Sequence, residues 1–361
     1  MSYMDRAIKL AKDNINSVSP NPSVGAVLVK GDNIIGEGQT QTPGKAHAEI
    51  VAINQAKNDI RGSTLYTTLE PCSHVGKTQP CVDEIIKSGI SKVSYSILDP
   101  NPIVNGKGIS KLRDAGVKIE AGDKSSEAIE IIEAYSKFIN YKIPFLTAKF
   151  AMSLDGKITT ETGKSKWISS LESRKFVHYM RANSDAVMVG VNTILKDNPL
   201  LTNRYESRYS INQPIRVVID SYARTPLNSA ILNQDSETLI IVGNAKKEAC
   251  DDLRKNGAKV IKIPGKNDKV DLINAIKYLG SQNITSVLVE GGSILLGALF
   301  EDSLIDKVVA FVSPKIIGGI ESKSPVENKG VDLVENSYLL KNIKINQIND
   351  DVVISGYVEG S

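Results

Sequence analysis

Short apolar runs alternate with amphipathic helical patterns along the whole chain, and the alternation ends and restarts near residue 145. Strands separated by helices cannot close as hairpins, so most must lie side by side in sheets covered by their own crossover helices. The first part predicts helix 3–14, strands 23–30 and 33–37, helix 46–57, strand 63–69, helix 81–88, strand 91–98, helix 108–115 and strand 117–122, a mixed α/β layer. Helical spacing of Ala128, Ile129, Ile131, Ile132, Ala134, Tyr135, Phe138 and Ile139 extends one more helix over 125–140, with Pro144 just beyond it. A domain boundary is therefore expected near 140–145, dividing the chain into 1–144 and 145–361.

The second part predicts strands 145–151, 185–190, 215–220, 238–243, 258–263, 285–290 and 307–313, and a last strand near 351–358. Helices 170–183, 245–256, 269–281 and 293–300 fall between them. This order fits a doubly wound, mostly parallel sheet with an antiparallel pair at its C-terminal edge, and such sheets bind ligands beyond their strand ends. A length of 361 residues also suits two domains better than one.

Bulk properties narrow the function classes. No run approaches the ~20 apolar residues that span a bilayer, and the start of the chain is amphipathic, without the apolar core of a secretory signal. A soluble, cytoplasmic protein is expected. The net charge of +3, from 44 basic and 41 acidic residues, gives no field of the kind that holds a nucleic-acid backbone. Three cysteines are too few for a disulfide scaffold, which leaves metal binding or core packing for each.

Two of the three stand in Pro71-Cys72 and Pro80-Cys81, downstream of His47-Ala48-Glu49 at a helix start. One imidazole and two thiolates would give Zn²⁺ three ligands and leave a fourth tetrahedral position for water, the pattern of a catalytic site. Glu49 would carry the proton between that water, a ring nitrogen and departing ammonia. The third cysteine, Cys250, lies on a helix beside Ala249 and Leu253 and reads as core. Taken singly, His47, Cys72 and Cys81 read as ordinary core or surface residues; in this order and company they read as a deaminase centre. A zinc-stabilised, non-catalytic scaffold with His74 as fourth ligand is the contrasting reading, and it leaves Glu49 without a role. A nucleic-acid base deaminase would share the ligands, but usually spaces its cysteines by two residues, where eight stand here.

Together with Ser19-Pro20-Asn21-Pro22-Ser23-Val24-Gly25, Thr68-Leu69-Glu70-Pro71-Cys72-Ser73-His74 and Asp99-Pro100-Asn101-Pro102, this part resembles the riboflavin-pathway pyrimidine deaminases. Gln79 stands where that family usually has proline. The resemblance implies a cytidine-deaminase-like, three-layer α/β domain and substrate contacts from Asn21, His74, Lys77, Asp99 and Asn101. Beside proline, Asn21, Asp99 and Asn101 also suit plain turns.

In the second part, Lys149 to Lys157 is an apolar strand running into an Asp155-Gly156 turn. Ser169 and Glu172 have capping-box spacing ahead of a helix whose Arg174, His178 and Arg181 share one face, a stripe that on its own reads as solvated. A polar loop from Gly190 to Arg204 follows a strand, and Glu290-Gly291-Gly292-Ser293 forms a strand, glycine pair and helix start, where backbone N–H groups can receive phosphate. A Gly-x-Gly-x-x-Gly fingerprint is absent.

From about 146 onward these segments resemble the riboflavin-pathway reductase domain, whose fold is like dihydrofolate reductase. The resemblance implies NADPH contacts from Ala151, Trp167, Thr193, Asp197, Ser221 and the stretch Gly292, Ser293, Ile294, Leu295, Leu296, Gly297 and Ala298. It implies contacts to a phosphoribosyl substrate from Ser165, Arg181, Leu201, Arg204 and Glu290. The arginines suit a phosphate and Glu290 suits sugar hydroxyls, while Asp197 and Lys149 are candidate proton donors. The whole chain then reads as a two-step enzyme of a small phosphoribosylaminopyrimidine, using Zn²⁺ and NADPH, self-associating as a homo-oligomer, with no nucleic-acid or membrane partner.

Overall fold

The computed structural model describes residues 2–56, 59–74, 79–205, 213–232 and 236–360. These residues form two compact units, one ending at Lys142 and the other beginning at Ile143.

The first unit contains α1 (Tyr3–Lys12), β1 (Gly25–Lys30), β2 (Asn33–Gln39), α2 (Ala48–Gln55), β3 (Thr64–Leu69), α3 (Cys81–Lys87), β4 (Lys92–Ile97), α4 (Lys107–Asp114), β5 (Lys118–Ala121), α5 (Ser125–Ile131) and α6 (Glu133–Tyr141). Its sheet runs β2-β1-β3-β4-β5, with β1 antiparallel to both neighbours and β3, β4 and β5 parallel. Five successive residues of β1 are buried, which requires cover on both faces. Gly25 faces α1, whereas Ala26, paired with Gly38, faces α2. The sheet is therefore the middle of three layers. α2 lies very close to β2: a Cβ on Gly38 would stand 2.0 Å from the Ala48 carbonyl oxygen. The helix expected over 125–140 is two helices that meet at Ile132.

The second unit contains β6 (Phe145–Ser153), α7 (Leu171–Ala182), β7 (Ala186–Gly190), α8 (Val191–Asp197), β8 (Ile215–Ile219), β9 (Thr238–Val242), α9 (Lys247–Lys255), β10 (Lys259–Lys262), α10 (Leu272–Ser281), β11 (Ser286–Val289), α11 (Ser293–Glu301), β12 (Lys307–Ser313), β13 (Leu340–Ile348) and β14 (Asp351–Val358). Its sheet runs β10-β9-β8-β7-β11-β6-β12-β14-β13. Pairings from β10 to β12 are parallel and the last two are antiparallel, as the alternation predicts. β7, and β9 apart from its first residue Thr238, are apolar and lie in its core.

Two local expectations are corrected and one strand is added. The polar loop after residue 190 opens as the helix α8, because Val191 and Ile194 one turn apart can both be buried. The cap of α7 is Ser170, one residue later than expected; its side chain accepts from the Ser173 N–H at 3.1 Å. Asp351 supplies the acceptor that Glu172 does not, taking the Ser170 N–H at 2.7 Å and the Ser173 hydroxyl at 2.6 Å. The edge strand β13 has no sequence expectation, since it is exposed almost throughout and shows no buried face. Among the described residues, no helix is long and apolar enough to cross a membrane.

Candidate active sites

The close seat of α2 on β2 fixes the start of that helix, where His47 is the N-cap residue and Glu49 is in the first turn. Cys72 follows β3, and Cys81 is the first residue of α3. The Cys81 N–H donates to the Cys72 sulfur at 3.4 Å, so a helix start faces a thiolate, the charge it favours.

The three ligand atoms lie within 4.8 Å of one another. His47 Nδ1 is 3.4 Å from Cys72 Sγ and 3.3 Å from Cys81 Sγ. A tetrahedral zinc with Zn–N of ~2.0 Å and Zn–S of ~2.3 Å places neighbouring N and S atoms about 3.5 Å apart. The donor set and its spacing therefore fit zinc with one position left over. The hydrogen bond from Cys81, backed by His47, pulls the Cys72 thiol down to about 4. Glu49 is buried, and burial together with the Cys72 charge pushes its carboxyl up to about 7. A carboxyl there can both take and give a proton near neutral pH.

His74 is exposed and stands outside the three-residue group, so the scaffold reading lacks its fourth ligand. Asp99 is buried, and burial raises its carboxyl above the usual range. Asn101 closes a turn, its side-chain oxygen accepting the Ile103 N–H at 3.1 Å. Asn21 also closes a turn, donating its N–H to the Val18 carbonyl at 2.8 Å. Lys77 lies outside the described residues.

In the second unit a cleft of about 1240 Å³ opens, walled by the segments that follow β6, β7, β8 and β11. All the residues expected to hold cofactor or substrate line it except Gly297, which faces the Glu327 carbonyl. Arg174, His178 and Arg181 all line it too, so the stripe on α7 faces the cleft. Arg174 stacks 4.4 Å above the Trp167 ring, and His178 is 3.2 Å from the Arg204 guanidinium.

Arg181 grips Glu290 through two hydrogen bonds, the Nη2 to Oε2 bond being 2.8 Å, and gives its Nη1 to the Thr202 carbonyl at 3.0 Å. The residues expected to serve phosphate and sugar separately are thus bound to each other. Burial would raise the Glu290 carboxyl, but Arg181 outweighs it and holds it below the usual range. Burial lowers Lys149 instead, whose ammonium stands 5.5 Å from the centre of the Phe311 ring.

Sequence reasoning passed over two polar side chains near the first site. Glu70 directly follows β3 and is buried, and the Tyr135 hydroxyl donates to Asp99 at 3.1 Å. A charge directly after the strand residues Thr68-Leu69 was the available signal for Glu70, since a buried carboxylate must find donors. Tyr135 sits within an apolar helical stripe and gave none.

Comparison with known proteins agrees with this division. Residues 144–354 match the model of the RibD C-terminal domain, and residues 1–97 match the cytidine and deoxycytidylate deaminase zinc-binding region. The riboflavin biosynthesis protein RibD of Aquifex aeolicus is 40% identical over 98% of this chain and 97% of its own. The chain belongs to the RibD family. It is accordingly an α/β enzyme with a zinc-binding deaminase domain and a reductase domain, and it acts on a small molecule. RibD of Acinetobacter baumannii is similar in structure, with a TM-score of 0.85, 32% identity and coverage of 99% and 98% of the two chains. So is a diaminohydroxyphosphoribosylaminopyrimidine deaminase/5-amino-6-(5-phosphoribosylamino)uracil reductase of Thermotoga maritima, with a TM-score of 0.83, 34% identity and coverage of 99% and 97%.

Proposed function

We propose that the first unit hydrolytically deaminates 2,5-diamino-6-(5-phosphoribosylamino)pyrimidin-4(3H)-one, and that the second reduces the ribosyl group of the resulting 5-amino-6-(5-phosphoribosylamino)uracil to ribityl with NADPH. The observation that carries the reading is the convergence of His47, Cys72 and Cys81 with a buried, near-neutral Glu49. The family, with its reductase-like second unit, selects this substrate over a nucleic-acid base.

His47, Cys72 and Cys81 would hold zinc, which when bound would acidify a water and polarise the reacting centre. Glu49 receives the proton of the attacking water and delivers it towards the departing ammonia, one water consumed for each ammonia released. Asn21, Asp99 and Asn101 read the pyrimidine edge through amide and carboxylate groups, while His74 and Lys77 meet the ribose phosphate. In the second unit the residues that line the cleft would hold NADPH, which when bound would supply the hydride for reduction at C1′ of the opened ribose. In the stretch from Gly292 to Ala298, the start of α11 at Ser293, Ile294 and Leu295 would present backbone N–H groups to the cofactor's phosphates, and Leu296 and Ala298 line the same cleft. Ala151, Trp167, Thr193, Asp197 and Ser221 complete that wall, and Arg204, Ser165 and Leu201 hold the phosphoribosyl chain. Arg181 keeps Glu290 ionised and oriented at the sugar.

The test is to give zinc-loaded protein the diaminopyrimidine ribotide and record ammonia release and NADPH oxidation separately. Equal amounts of both support the two-step reading. Silence in both with zinc bound would overturn it.

A further inference from the structure

Glu70 is 2% exposed, and no step above uses it. Its Oε2 accepts the backbone N–H of Asp99 at 3.2 Å and of Gly106 at 2.8 Å. Its Oε1 accepts the N–H of Gly108 at 2.9 Å and of Ile109 at 3.2 Å. One carboxylate thus receives N–H groups from the start of α4 and from Asp99, two residues beyond β4. Gly108 permits the approach, because a Cβ there would stand 2.1 Å from the Pro71 carbonyl oxygen. The segment Glu70-Pro71, which leads directly into Cys72, is therefore locked to the far end of the loop between β4 and α4.

That loop begins with the Asp99–Asn101 turn. Asp99 Oδ1 accepts the Asn101 N–H at 2.8 Å and the Tyr135 hydroxyl, from α6, at 3.1 Å. Burial pushes the Tyr135 phenol up, so it stays protonated and able to donate. The backbone of the turn is tied to Glu70 and its side chain to Tyr135.

We infer that Glu70 and Tyr135 are positioning residues for the deamination, holding the Asp99–Asn101 turn in place beside Cys72 before substrate arrives. This rests on the proposed contact of Asp99 and Asn101 with the pyrimidine. A turn already ordered spares the bound state the cost of ordering it, so its loss is read mainly in KM and much less in kcat.

The experiment compares parent, Tyr135→Phe and Glu70→Gln in steady-state ammonia release from the diaminopyrimidine ribotide, with zinc content and NADPH oxidation of the pre-deaminated intermediate measured alongside. Tyr135→Phe removes one oxygen atom and should raise KM on the order of tenfold, the effect of one lost hydrogen bond to a charged group. Glu70→Gln turns amide hydrogens on backbone N–H donors and should raise KM further. In both, zinc content and NADPH oxidation should match the parent. If KM is unmoved in Tyr135→Phe, or if the loss lies in kcat and zinc content alone, the inference is overturned. Should Glu70→Gln fail to fold, Tyr135→Phe decides the matter. Silence from the parent sinks the functional reading and this inference with it, whereas an active parent with unmoved variants sinks the inference alone.

Discussion

The two units solve the problem of site construction differently. The first concentrates its chemistry in three ligand atoms within 4.8 Å of each other and one buried carboxyl, all delivered by helix starts or the end of a strand. The second spreads its candidate residues around a cleft of about 1240 Å³, on segments from Lys149 to Asn328. A compact site must be exact in every member, so single changes should abolish it. A distributed site shares its work and should lose function by degrees, except where one pair is itself buried and interdependent.

Metal removal probes this contrast most strongly. Chelation of the purified protein should end ammonia release, while NADPH oxidation of the pre-deaminated intermediate continues; loss of both would show that the units do not act separately. Glu49→Gln comes next. Ammonia release should fall by a factor of about 10²–10⁴, the usual contribution of a general acid–base group, with zinc content retained. Retention of most activity would remove Glu49 from the proton path.

In the second unit the Arg181–Glu290 pair tests the exception, since its side chains are 13% and 7% exposed. Glu290→Ala leaves a buried guanidinium without its carboxylate and should cost about 3–5 kcal/mol in denaturant unfolding of that unit. NADPH oxidation should fall with it and ammonia release should not. A cost below about 1 kcal/mol would place the pair among surface ion pairs.

The smallest effect concerns Asp155, whose carboxylate accepts the Ser153 hydroxyl and the N–H groups of Ile317 and Gly318. The Ser153 bond and these backbone bonds draw its carboxyl down to about 2. A folded value below the unfolded one of ~3.9 means its contribution is complete above that pH and disappears as pH falls through the folded value. Asp155→Asn should therefore flatten the acid unfolding curve between about pH 4 and 2, followed by circular dichroism. An unchanged curve would show that the turn is held without the charge.

The sites differed just as much in how far they could be read in advance. His47, Glu49, Cys72 and Cys81 announce their chemistry because few residue types bind zinc and their order is informative. The Arg181–Glu290 bond could not be read, because nothing in two positions 109 residues apart says they meet. The alternation of apolar runs carried most strands and helices of both sheets. It failed where burial gave no pattern, as in the exposed β13, and where a tertiary partner sets a local cap, as Asp351 does for Ser170.

That last contact has a consequence for synthesis. α7 is made in the middle of the chain, but its start is completed by Asp351, 181 residues later, while the first unit's sheet draws every strand from residues before Lys142. On the ribosome the first unit should close early and the second only after its final strand has emerged. Nascent chains arrested before Asp351 should yield a protease-resistant first unit and a second that is still cleaved.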